Sequence, residues 1–531
     1  MPKAVKNAGN YQERRKAAIY GKVDAWQDRV ARLLVILLLC VHPLFFTKER
    51  YLRLTLHKYQ FFCVCMAIIL CSVVIIWLYR LTRKPRLLLQ DQPTLADWAV
   101  IGFAIVTLLS AVFSPFKDAA NVWVGIPEPG GRYDGAITQL LYVAAFLIVS
   151  RWYRPRSSDF VVFGISAALV GLIGILQFYG MDFLKLWPNH LDEFKVPNFY
   201  IIWFRSTLGN VDIVSTYVCV AILLCGFLFI RMKSKWRPLW LAASALNFWL
   251  MDLAGADSGR VGVLAAVVLV IPFIVEGRKM LGRTLLLGSS WLIVYTLQNL
   301  FYDANILGVR TAGSLLPYAV AAIALLAVGI ALVLSGKEPA PDRPVKWLVG
   351  VILLAACIVV GVIGIEVIGK RTAESENPSG IIYEVREIMH GNVQDSFGNY
   401  RLHIWKNALK AYPEHPLIGS GPDTFYFALS EEAHINGVSF DKAHSEYIQI
   451  LVCQGILGLL CYLIFLVSAS LKAVPRAFRN PLLMAVLAAF VGYYAQAVFN
   501  ISLPIVTPML WVFAGMLANR RFREASVRDL A

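Results

Sequence analysis

Apolar and polar positions follow one another in long blocks, each apolar block close to the roughly 20 residues that cross a bilayer as a helix. Fourteen such runs lie near 30–46, 59–79, 95–114, 135–151, 159–179, 207–230, 239–256, 260–275, 284–302, 315–335, 346–368, 446–470, 481–499 and 502–518. Those at 30–46, 135–151 and 260–275 are the shortest. The pattern predicts an all-α, polytopic integral membrane protein with about 14 (12–14) transmembrane helices. One long polar stretch, 369–443, interrupts the series. It mixes Glu, Asn, Gly and Pro with aromatics and reads as a large extracytoplasmic loop. Its size allows two or three short helices on the membrane surface but no independent core. The expected organisation is therefore a basic cytoplasmic N-terminus (1–29), helices 1–11 (30–368), the loop (369–443), helices 12–14 (444–518) and a basic tail (519–531).

Composition supports this class. Of 531 residues, 58% are hydrophobic and 16% charged, and the mean hydropathy is +0.62; soluble domains are less apolar and more charged. The net charge of +16 raises the question of nucleic acid. The basic residues, however, form short clusters between apolar runs, such as Arg231 to Arg237 and Arg520 to Arg523, which is a topology signal with no nucleic-acid partner. With the N-terminus inside, Lys and Arg are more numerous on the inner segments than on the outer ones. One segment conflicts with this scheme: 47–58 holds Lys48, Arg50, Arg53 and Lys58 yet falls outside. The nine cysteines all lie within apolar runs, so neither a disulfide framework nor a zinc site is expected. The N-terminus lacks the pattern of a cleavable signal peptide.

Charges that face outward against the topological preference are the informative ones. Arg132 lies in the first sizeable outer loop, Arg205 at the outer entrance of the sixth span, and Arg260 in Asp257-Ser-Gly-Arg260 between two closely spaced spans. Arg401 begins an amphipathic segment of the long loop, and His444 opens the twelfth span. Any one arginine could snorkel to lipid phosphate. Several together with a histidine, on one face, suit an anion site. Guanidinium groups bind phosphate oxygens bidentately, and histidine can take a proton from an attacking hydroxyl near neutral pH. Such a set fits glycosyl transfer from a lipid diphosphate, because fixed positive charge stabilises the departing diphosphate most in the transition state. No Asp-x-Asp in a polar loop, His-Glu-x-x-His or Walker loop is present. Glu431-Glu432-Ala433-His434 with His444 is a weak metal candidate, and no metal or other cofactor is expected. Asp252, Asp257 and Glu366, within or at the ends of apolar runs, read as helix-pairing polar groups or as carboxylates for coupled transport.

The loop and the span after it carry three linked motifs: Arg401-Leu-His-Ile-Trp405-Lys-Asn-Ala408, Pro416-Leu-Ile-Gly419-Ser-Gly421, and Ala443-His444-Ser445-Glu446-Tyr447 followed by Gln454-Gly455-Ile-Leu-Gly458. Upstream lie Arg205-Ser-Thr-Leu-Gly-Asn210 and Asp257-Ser-Gly-Arg260. In this order they resemble the bacterial O-antigen ligase and polymerase superfamily across residues 115 to 518, most specifically from 401 to 458. Ser445 stands where that family usually has Asn, and the family commonly has twelve spans.

The resemblance implies a metal-independent glycosyltransferase of the cytoplasmic (inner) membrane with its site on the extracytoplasmic face. It would move a glycan from an undecaprenyl-diphosphate carrier to a hydroxyl on a glycan, lipid or protein acceptor, with membrane lipids around it. His444 corresponds to the family's essential histidine, the general base, and Arg205 and Arg260 to its diphosphate-contacting arginines. Arg401, Arg132, Glu446, Asn210 and Trp405 are expected to bind substrate. With no carboxylate pair placed for a double displacement, the transfer is expected to invert. Ligase and surface-polysaccharide polymerase remain alternatives. A lipid-linked oligosaccharide flippase or other transporter is the rival from another class, but it would place its charges near the bilayer midplane.

Overall fold

The computed structural model describes residues 21–83, 92–118, 121–125, 132–187, 203–255, 257–274, 277–301, 315–337, 347–374, 380–433 and 440–525. Each of the fourteen apolar runs lies on a helix. These are α1 (residues 21–41, ending in a π-helical turn), α2 (Leu54–Arg83), α3 (Leu95–Val112), α4 (Ala136–Trp152), α5 (Ser157–Phe178), α6 (Val211–Arg231), α7 (Arg237–Ala254), α8 (Asp257–Ile274), α9 (Arg278–Leu300), α10 (Leu316–Ser335) and α11 (Trp347–Ala373). After the polar stretch, which contains α12 (Ile381–Met389) and α13 (Arg401–Ala411), come α14 (Glu446–Leu471), α15 (Pro481–Ala497) and α16 (Thr507–Ala518).

Among the described residues eight helices are long and apolar enough to cross a membrane, and α4, α15 and α16 are shorter apolar helices. The expected count of fourteen spans is therefore not reached by length and composition among the described residues. The run at 502–518 shows why: Pro504 and Pro508 hold its first part out of the helix, so α16 has only 12 residues, about 18 Å at 1.5 Å per residue. The all-α expectation needs one small correction as well. Phe204–Arg205 and Gly209–Asn210 pair as a two-stranded antiparallel hairpin, with Arg205 opposite Gly209.

Helix α6 is the axis of the bundle. It is apolar on all sides and its membrane-length window is wholly buried, the pattern of a helix enclosed by others. Helices α7, α8 and α15 pack on it. Directional bonds fix their rotations: the Trp240 indole donates to the Phe160 carbonyl at 3.1 Å, and Ser244 donates to the Ile222 carbonyl at 3.0 Å. The Asn500 amide donates to the Asp212 carbonyl, Thr216, Ser258 and Gln496, all within 3.0 Å. By contrast α10 and α11 have only 11% and 6% of their windows buried, leaving apolar faces of the kind that meet acyl chains.

The basic segment 47–58 lies beside the hairpin. Arg50–Arg53 form a 3-10 turn leading into α2. The Tyr51 hydroxyl donates to the Ser206 carbonyl at 2.5 Å and lies 3.0 Å from Gln177 Oε1. Lys58 is fully buried, its ammonium capping the carbonyls of His42 and Pro43 at 2.7 and 3.0 Å. Part of the charge that contradicted the topology scheme is thus consumed by internal hydrogen bonds, where it cannot act as a membrane-side anchor.

Candidate functional site

The motif that opens the site is first a structural joint. Helix α14 breaks at Gly455, whose φ of 68° and ψ of −174° are not helical. The break frees backbone groups on either side, and the Pro416–Gly421 turn satisfies them. Ser420 and Gly421 donate their N–H groups to the carbonyls of Val452 and Cys453 at 2.9 and 3.0 Å, while Ile456 and Leu457 donate to Pro416 and Leu417 at 2.9 and 3.2 Å. Backbones this close leave no room for side chains: a Cβ on Gly419 would overlap the Cys453 carbonyl, and one on Gly455 would overlap that of Leu417. Both glycines also have φ near 70°, which glycine alone adopts without strain. A small apolar core of Ile404, Ala408, Phe425, Leu429, Ala433, Ala443, Val452 and Cys453 seals the joint.

His444 stands just before α14, at a left-handed φ of 48°. Its neighbour is anchored twice: the Trp405 indole donates to the Ala443 carbonyl at 2.9 Å, and the Ala443 N–H donates to Gln449 Oε1 at 2.9 Å. The imidazole Nδ1 faces Asp212 Oδ2 at 3.8 Å. Asp212 lies in the first turn of α6, and its N–H is capped by the Asn210 side chain at 2.8 Å. Arg401 reaches the other carboxylate oxygen of Asp212 at 3.6 Å. Burial lowers the His444 pKa below the usual 6.5, and Arg401 and Arg132 push the same way against Asp212 and Asp441. The imidazole is therefore held neutral at physiological pH, the form that accepts a proton.

Two residues before His444 lies a buried ion cluster. Lys442, with 2% of its side chain exposed, pairs with Asp423 at 2.7 Å and Asp134 at 3.3 Å. Asp423 Oδ2 also accepts the backbone N–H groups of Arg132 and Asp134 at 3.1 and 3.4 Å. Two carboxylates thus share one lysine, and burial raises the Asp134 pKa to about 7. The cluster can stay near neutral overall by keeping a proton on Asp134. Arg132 itself pairs with Asp441 at 2.6 Å.

The arrangement brings together His444, Arg401, Arg132 and Asn210 of the residues expected from sequence. Trp405 acts one step back, through the Ala443 carbonyl. Glu446 turns into the bundle, where the hydroxyls of Tyr462 and Tyr493 donate to it. Arg205 has 1% of its surface exposed; it donates to the Phe204 carbonyl at 2.8 Å and lies over the Phe178 ring. Arg260 pairs with Asp252 at 2.5 Å and Asp257 at 2.7 Å, so those two carboxylates act as its counter-ions. Asp212, Asp423, Asp134, Asp441 and Lys442 were missed. Asp441 and Lys442 immediately precede Ala443-His444, and Asp212 follows Asn210 by two residues, so proximity to the motifs was the available signal. Among the described residues no three His, Cys, Asp or Glu side chains converge as metal ligands; His434 lies outside the described residues.

Against this cluster lies a cavity of about 440 Å³, lined by 51–56, Arg132, Tyr133, Phe204, Leu208 to Asn210, Ile213, Leu503 and Ile505. Arg132 and Asn210 belong to both, which joins the cavity to the His444 neighbourhood. No curated protein matches the chain. The family described as O-Antigen ligase matches residues 304–463, the stretch that supplies Arg401, the Gly419 joint, Lys442 and His444. Through this C-terminal region the chain is similar to the O-antigen ligase family, and the match supports its resemblance to the O-antigen ligase and polymerase superfamily.

Proposed function

We propose that the protein transfers a glycan from an undecaprenyl-diphosphate carrier to an acceptor hydroxyl at the extracytoplasmic face of the cytoplasmic membrane, as an O-antigen ligase does. The observation that carries this reading is Asp212 facing both His444 Nδ1 and Arg401, beside a cavity of substrate size that Arg132 and Asn210 line. Ligand cavities fall in the range of about 300–1,000 Å³.

In the proposed step the acceptor oxygen bonds to the anomeric carbon as the bond from that carbon to the phosphate oxygen breaks. The acceptor proton passes to His444, and the bonding pair leaves with the diphosphate. Nδ1 faces Asp212, so Nε2 is the nitrogen assigned to the acceptor, and Asp212 stabilises the imidazolium that forms. Arg401 and Arg132 supply positive charge beside the leaving group. Arg205, a buried residue of the hairpin, contributes its charge through space, and Arg260 serves at the rim once its carboxylate partners yield to phosphate. A single displacement inverts the anomeric centre and draws no chemistry from a metal.

The test uses protein in lipid vesicles with a fluorescent undecaprenyl-diphosphate glycan, wild type beside His444→Ala. Acceptor-dependent release of undecaprenyl diphosphate should fall by a factor of about 10²–10⁴, the usual contribution of a general base, with carrier binding retained. Undiminished transfer by the variant would remove the base assignment. Release with a glycan acceptor alone would assign polymerase activity. Passage of the lipid across the bilayer without release would replace transfer by transport.

A further inference from the structure

We infer that the cavity under Arg50–Leu56 is an oxyanion-holding chamber of the substrate site, with Arg53 as a phosphate- or carboxylate-binding residue. The inference rests on the transfer reading for the identity of the ligand, but not for the existence of the site.

Three observations converge. First, the cavity lining includes Arg53 and Arg132 and no Asp or Glu. A concave wall carrying one sign of charge concentrates counter-charged ligands. Arg205 adds charge from behind that wall, since it donates to the carbonyl of Phe204, which itself lines the cavity. Second, the remaining lining suits a sugar phosphate: Tyr133, Thr55 and Asn210 offer hydroxyl and amide groups among apolar side chains. Third, the basic residues of 47–58 have separable fates. Lys58 is consumed by the carbonyls of His42 and Pro43, and Arg50 donates to the Trp187 carbonyl at 3.4 Å. Arg53 keeps 66% of its side chain exposed, its recorded partner being the half-open Glu49 at 3.5 Å. A surface pair of this kind holds its members weakly, so an incoming oxyanion can take the guanidinium at small cost. A basic segment on the side of the bundle that topology disfavours thereby acquires a reason.

An oxyanion can come from the diphosphate linkage of the carrier or from an acidic sugar of the glycan. The experiment compares wild type with Arg53→Gln, Arg53→Lys and Lys48→Gln in vesicles of neutral phospholipid. Lys48 is an exposed residue of the same segment that does not line the cavity, so its variant controls for general surface charge. Binding of fluorescent undecaprenyl diphosphate is titrated directly. KM and kcat are measured for donors with neutral and with uronate-bearing glycans.

Loss of one charge-assisted hydrogen bond should weaken affinity about tenfold or more. The expected result is that rise in Kd or KM for Arg53→Gln, with kcat changed less than about threefold, most of it recovered in Arg53→Lys and none present in Lys48→Gln. A shift already seen with undecaprenyl diphosphate alone places the phosphate of the carrier against Arg53. A shift confined to uronate donors places the sugar carboxylate there. Equal Kd and KM values for wild type and Arg53→Gln across all ligands would overturn the inference. If the wild type transferred nothing, the functional reading would fail, while the direct lipid titration would still decide the role of Arg53.

Discussion

Lys442 gives the sharpest test of how the site is held. Replacing it with Met keeps the length of the stem and removes the ammonium. Asp423 then loses a partner at 2.7 Å while remaining 3% exposed. Breaking a buried pair by removing one member costs about 3–5 kcal/mol. Two features bound the loss. Asp423 retains the backbone N–H groups of Arg132 and Asp134, and a carboxyl stranded without its cation can take a proton. At pH 7 protonating an ordinary carboxyl costs about 3 pKa units, roughly 4 kcal/mol. The expected loss is therefore about 3–4 kcal/mol, confined to segments that the cluster joins. Hydrogen exchange of the protein in lipid nanodiscs reads this locally. Amides near 132–136, 421–424 and 442–446 should exchange on the order of 10²–10³ times faster in Lys442→Met, with the α6 core unchanged. The double variant Lys442→Met/Asp423→Asn should recover about half of the protection, because no buried carboxylate is left without its cation at position 423. Exchange within threefold of wild type in the single variant would refute the claim that the cluster clamps the loop.

Two further outcomes follow from the site. In the proposed reaction His444 acts in its neutral form, and its pKa is lowered, so the acid limb of kcat/KM should lie below pH 6.5. Removing the charge of Arg401 with Arg401→Gln should move that limb upward, and Asp212→Asn should move it further down; a limb unmoved by both would detach the profile from His444. Gly455→Ala forces a side chain into the Leu417 carbonyl at a positive φ and should cost about 3 kcal/mol or more, seen as loss of monodisperse protein after extraction, whereas Gly361→Ala, whose Cβ meets nothing within 4 Å, should not.

The helices were legible because a block of some 20 apolar residues admits one conformation in lipid. Their count as spans was less so. Pro504 and Pro508 were visible in the run at 502–518, but an extended apolar stretch packed inside a bundle has the composition of a helix. The hairpin at 204–210 escaped because four strand residues leave no periodicity. At the site, motif residues on 401–458 were legible as a group, and His444 and Arg401 do meet. Their common partner Asp212 lies 232 positions before His444, and only packing of α6 against the loop joins them. Burial changed other assignments: Glu446 looked like a substrate contact by position, yet it faces tyrosines inside the bundle. The basic segment 47–58 looked misplaced because charge counting treats every lysine and arginine as solvated, whereas Lys58 is enclosed.

The two clamps on the loop differ in a way that bears on how such a site can vary. The joint between Pro416–Gly421 and Val452–Leu457 is made of backbone hydrogen bonds that leave no room for a side chain at Gly419 or Gly455, and the ionic cluster of Lys442 is made of side chains paired by charge. Together they present His444 at a φ of 48°, a conformation costing about 1–2 kcal/mol for a residue with a Cβ. Strain of that kind persists only where the surroundings over-determine it; here Ala443 is held on both its carbonyl and its N–H. In the proposed transfer a base so fixed needs little reorganisation when the acceptor proton moves. On that reading, changes of donor or acceptor are ill placed in the loop, where each substitution disturbs the proposed base. The wall of the cavity formed by 51–56, 503 and 505 has no bond to His444 and lies outside the matched stretch. If the cavity holds substrate as proposed, that wall is where preference can diverge while the chemistry stays in register.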